Sequence, residues 1–74
     1  MKELLLNFKE ELDFIKKYAK ASKAEKKLML ENLLNVMATT YNIPLTYDKK
    51  YANKNKEVIN IFESIVNEIR KLDN

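Results

Sequence analysis

Leu5, Phe8, Leu12, Ile15 and Ala19 follow one another at steps of three or four residues. That spacing holds apolar side chains on one face of an α-helix and predicts a helix over residues 2–21. Leu4, Phe14 and Tyr18 read as widening the same stripe. A second stripe, Leu30, Leu33, Leu34, Met37 and Tyr41, predicts a helix over 23–41, with Leu28, Met29 and Val36 broadening it. A helix apolar over so much of its circumference needs more than one neighbour, which makes it the central element. A third stripe, Val58, Phe62, Ile65, Ile69 and Leu72, predicts a last helix over 55–72.

The polar residues punctuate these stripes. Ser22-Lys23-Ala24-Glu25 matches a capping box, in which hydroxyl and carboxylate each bond the other residue's backbone N–H. No glycine or proline separates the first two stripes, so one unbroken helix is the rival reading. Its length, about 40 residues, is far above the usual and favours a break near Ala21–Ser22. Asn42 suits a left-handed turn after a helix, and Pro44 forces Ile43 out of the α region. Ile43 to Lys54 then reads as the connection. Ile43, Leu45 and Tyr47 alternate like a strand, but no second strand exists to pair with them. An extended apolar linker draped over the bundle fits better, with a helical turn from Asp48 as the alternative. Asn53 or Asn55 can cap the last helix. The pattern defines one all-α domain, residues 1–74. It is a small antiparallel bundle of three helices, or four if the connection folds.

Composition narrows the chemistry. The 74 residues contain no cysteine, histidine or glycine. Disulfides, thiolate metal sites, the commonest general base and glycine-rich phosphate loops are thereby excluded. Glu10, Glu11 and Asp13 cluster in sequence but read as a solvated helix face, and Ser22 and Ser64 have no base to activate them. No enzyme activity and no cofactor is expected. No unbroken apolar run exceeds three residues, so no membrane span is expected, and the charged N-terminus does not resemble a secretory signal. The expected location is the cytoplasm, including the inner face of the membrane.

Charge is where the chain is uneven. Fourteen Lys/Arg against eleven Asp/Glu give +3 overall. Lys16, Lys17, Lys20, Lys23, Lys26 and Lys27 fall within twelve residues against one acid, Glu25, a local +5 that leaves −2 for the rest of the chain. As a functional feature this is a docking patch for an anionic protein, membrane surface or nucleic acid; as a plain one it is solvated surface. Arg70 is the only arginine, and no base-reading pattern marks a recognition helix, so nucleic acid is not favoured. Tyr47, Lys49, Lys50 and Tyr51, with Lys54 and Lys56, form a second basic and aromatic group. It suits either docking or coverage of the bundle's edge. Broad apolar faces on short helices also leave a homodimer open.

The segment Leu30 to Lys50, LENLLNVMATTYNIPLTYDKK, resembles the third-helix region of the class IIa bacteriocin immunity proteins of enterocin A type. Leu33, Leu34 and Met37 occupy that family's apolar positions. Ala38-Thr39-Thr40-Tyr41-Asn42-Ile43 resembles its helix end. The resemblance implies a basic cytoplasmic bundle, commonly of four helices. Such a bundle protects a producer cell from its own pore-forming peptide by associating with a membrane sugar-transport permease of the mannose type. It implies no catalysis and no cofactor. The rival expectation is a small phage- or plasmid-type regulatory protein that binds nucleic acid or a host protein.

Overall fold

The computed structural model describes residues 2–73 of the chain. Four helices follow in order: α1 (Lys2–Lys17), α2 (Lys23–Thr40), α3 (Lys49–Lys54) and α4 (Lys56–Asp73). The all-α bundle expected from the stripes is what forms. The rival single helix does not, because the capping box closes. Ser22 is extended (φ −69°, ψ 168°), the Glu25 N–H donates to its Oγ at 3.2 Å, and its own N–H donates to Glu25 Oε1 at 3.2 Å. Two orphan donors at the start of α2 are thus satisfied at once.

The first helix ends four residues earlier than the stripe predicts. Ala19 lies exposed, so nothing apolar is gained by continuing past Lys17. The last turn tightens, with the Tyr18 N–H donating to the Ile15 carbonyl, and the Lys26 ammonium reaches across from α2 to the Lys16 carbonyl at 3.3 Å. Leu4, Phe14 and Tyr18 do not widen the buried stripe either; all three are exposed. Leu28 and Val36 of α2 likewise face outward.

At its far end α2 closes as the asparagine suggests. Asn42 takes φ 52°, the one left-handed residue among those described. The Ile43 N–H returns to the Ala38 carbonyl at 2.9 Å and the Asn42 N–H to Thr39 at 3.4 Å. This is the doubly bonded Schellman ending, and Ile43 seals it by entering the core. The next residues depart from the draped linker. Leu45 is fully exposed, and the chain refolds at Asp48, whose Oδ1 accepts the Tyr51 N–H at 2.9 Å and starts α3. The connection is therefore 43–48, and the fourth helix is real but short. Asn55, expected to cap α4 with its side chain, instead donates its Nδ2 to the Tyr51 carbonyl at 3.0 Å and closes α3. Its backbone carbonyl accepts from Ile59 and opens α4.

Phe8, Leu12 and Ile15 from α1, Leu30 and Met37 from α2, Ile43, and Ile59 and Ile65 from α4 form the core. Met37 and Ile65 are wholly inaccessible. Full burial of such side chains stabilises by about 1.5–3 kcal/mol each, so these eight outweigh any surface ion pair. The central role expected of α2 holds: it packs on both α1 and α4. Lys27 near its start meets Asp73 at the end of α4, so those two run antiparallel. Lys16 at the end of α1 meets Glu68 near the end of α4, so α1 and α4 run parallel, each against α2 and against one another. The result is a slab, 37 × 27 × 16 Å between Cα extremes.

Candidate functional site

The six clustered lysines are divided by the fold into two sets. Lys16 lies 3.9 Å from Glu68, Lys27 lies 2.6 Å from Asp73, and Lys26 covers the end of α1. Lys16 and Lys27 fasten the α1–α2 corner to the end of α4, and Lys26 ties α2 to α1. Glu68 also receives Lys71 at 3.2 Å. The hydrogen bond that Lys27 donates to Asp73, then the charge of that carboxylate, holds the Lys27 ammonium above its ordinary pKa. Lys17, Lys20 and Lys23 remain exposed and make no ion pair among the described residues.

Beside them stands a pair the stripe reading placed inside. Phe14 and Tyr18, one turn apart on α1, stack with ring centres 5.5 Å apart and planes inclined by 19°. Phe14 is 56% exposed. Phe14, Lys17, Tyr18, Ala19 and Lys20 line a shallow hollow of about 370 Å³. The signal for this was available in the helical angles. Phe14 and Tyr18 sit roughly 130° and 90° round the helix from the centre of the Phe8–Leu12–Ile15 row, too far to share its burial. The α1–α2 corner thus presents an aromatic step and three lysines on one short stretch.

The second candidate group is built differently. Tyr47 and Tyr51 also approach one another, at 5.7 Å, but both are half-buried against the core. Burial, and then the nearby Glu63 carboxylate, push the Tyr47 hydroxyl above its ordinary pKa. Lys49 and Lys50 are exposed on α3, and Pro44, Thr46, Tyr47, Asp48 and Tyr51 line an open hollow of about 420 Å³. Lys49 and Lys50 lie on α3, ahead of α4, and Tyr47 lies near Glu63 midway along α4, whereas the lysine corner meets the last turns of α4 at Glu68 and Asp73.

A third feature lies between the parallel helices. Leu5, Leu6, Lys9, Leu12, Asp13 and Lys16 of α1 face Glu57, Asn60, Ile61 and Ser64 of α4 across an open groove of about 640 Å³. The Ser64 hydroxyl is occupied by the Asn60 carbonyl at 2.8 Å. Among the described residues, no three carboxylates are grouped so as to hold a metal ion, and no helix is long and apolar enough to cross a membrane. Glu10, Glu11 and Asp13 are all exposed.

Comparison of the chain with models of protein families, with curated proteins and with solved structures finds no match.

Proposed function

We propose that this chain is a non-enzymatic interaction protein that docks its α1–α2 corner on an anionic protein partner. The observation that carries this reading is the outward stack of Phe14 on Tyr18 beside Lys17 and Lys20, with Lys23 exposed at the start of α2. Aromatic side chains are enriched at the energetic centres of interfaces, and unpaired lysines around them steer an anionic partner. The magnitudes assign the roles. Burying each ring is worth roughly 1.5–3 kcal/mol, whereas a rim ion pair contributes about 0–1 kcal/mol. The rings would supply affinity and the lysines would supply approach and orientation.

The particular role we propose is that of a class IIa bacteriocin immunity protein, acting at the inner face of the membrane on a transporter complex. Two things support it. The segment that resembles that family, Leu30 to Lys50, spans the second half of α2, the Asn42 turn and the start of α3. With the short α3 the chain has four helices, the number common in the family, although the resembling segment lies in the second of them and not the third.

The test is expression in a bacterial strain sensitive to class IIa peptides, with the wild type beside Phe14→Ala/Tyr18→Ala. The wild type is expected to raise the tolerated peptide concentration, and the variant to lose that protection while folding as well. No protection against any peptide of the class overturns the immunity role. Capture from lysate of nucleic acid, with affinity falling linearly in log–log form as salt rises, would replace the protein partner with a phosphate backbone.

A further inference from the structure

The chain exposes more surface than a solitary domain of its size. Its accessible area is 5701 Å² at a mass of 8.8 kDa. The usual scaling with mass gives about 4,800 Å² for a folded monomer. The surplus, about 900 Å², is close to the roughly 800 Å² that each partner buries in a standard interface. The slab shape accounts for it. A radius of gyration of 12.4 Å exceeds the roughly 11.3 Å expected of a compact chain of this length.

The surplus is spread over several faces of the slab, and part of it lies along the α1–α4 groove. Leu5, Leu12 and Ile61 lie along the α1–α4 groove, and Leu6 stands at its lip, 52% exposed. Lys9 and Asp13 stand one turn apart on its α1 side, and neither makes an ion pair among the described residues. That order of charges is self-complementary. If a second α1 lies antiparallel across a two-fold axis, Lys9 meets the partner's Asp13 and Asp13 meets the partner's Lys9. Isologous pairing of this kind is the commonest form of protein dimer.

We infer that two copies of this chain associate through the α1–α4 groove, antiparallel along α1, with reciprocal Lys9–Asp13 pairs fixing the register. This goes beyond the docking reading and does not depend on it. Phe14 and Tyr18 lie on another side of α1, so pairing leaves the corner outward and presents it twice.

The test is the mass by sedimentation equilibrium across a dilution series from micromolar to millimolar. The wild type is expected to rise from one chain to two. Lys9→Glu alone and Asp13→Lys alone each set like charges together at both pairs, and each is expected to weaken self-association by at least about tenfold. The decisive arm mixes those two single variants. In the mixed pair every contact is again between opposite charges, so the mixture is expected to dimerise where neither variant does alone. Both positions are exposed, and circular dichroism of each variant checks that the helices persist. A single-chain mass for the wild type at every concentration overturns the inference. So does unchanged association of the single variants, or a mixture that stays monomeric.

Discussion

Two pairs of aromatic residues, each one helical turn or four residues apart and each set among lysines, are put to opposite uses in this chain. Phe14 and Tyr18 stack in the open beside Lys17 and Lys20. Tyr47 and Tyr51 lie nearly as close to one another, yet both turn inward and cover the edge of the core, leaving Lys49 and Lys50 outside. Composition does not distinguish the two. Register does. Tyr47 and Tyr51 flank Asp48, whose cap turns α3 back onto α4, so their rings fall against the bundle. Phe14 and Tyr18 lie on a helix whose buried row is already filled by Phe8, Leu12 and Ile15. One pair contributes to the fold, and the other stays outside the core.

The largest effect that sharpens this contrast is on stability. Tyr51→Ala removes a half-buried ring from the core's edge and is expected to cost about 2 kcal/mol, since a fully buried aromatic costs 3–5. In a domain this small that lowers Tm by roughly 8–16 °C. Phe14→Ala is expected to stay within about 0.5 kcal/mol of the wild type, as for exposed positions generally. Equal losses in thermal melts would erase the distinction between the two pairs.

Ser22→Ala is expected to cost less, about 1 kcal/mol, by opening the capping box that separates α1 from α2. It bears on the corner as well as on the fold. Without the cap, α1 and α2 are freer to continue into one another, and the Lys26 bond to the Lys16 carbonyl loses its geometry. Urea denaturation measures the first effect, and loss of docking at unchanged lysine content measures the second.

The smallest effect is alkaline. Lys27 and Tyr47 both have pKa values raised by folding, from ordinary values of 10.5 and 10.0. Each folded group therefore holds its proton longer than the unfolded one. Their contributions are complete below those ordinary values and fade as pH rises through the raised ones. Stability is expected to be flat from neutral pH to about 10 as far as these two groups go, and to decline above it. Lys27→Met should flatten part of that decline in denaturation profiles. A profile unchanged by the substitution would show that the Asp73 contact contributes nothing to it.

Much of the fold was legible because its causes are local. The three stripes, the Ser22 cap and the Asn42 turn rest on residues within a few positions of one another, and each formed. What was not legible depends on distant residues. The six-lysine cluster reads as one patch of +5, but Glu68 and Asp73, some fifty residues away, take Lys16 and Lys27 into the scaffold. Nor does local sequence say where a stripe stops being buried. Leu4, Phe14, Tyr18, Leu28 and Val36 all extend apolar rows that no neighbouring helix reaches, because a bundle with one short helix has too few neighbours to cover them. The helix from Asp48 was an open alternative to a draped linker. The extended reading of Leu45 fails because nothing in the bundle faces it.

The most direct test of the docking corner is to measure stability and protection together on Phe14→Ala/Tyr18→Ala, in cells challenged with class IIa peptides and in thermal melts of the purified protein. The expected result is an unchanged Tm with protection lost. Protection equal to that of the wild type, at equal stability, would contradict the role given to the aromatic pair and place the docking surface elsewhere on the slab.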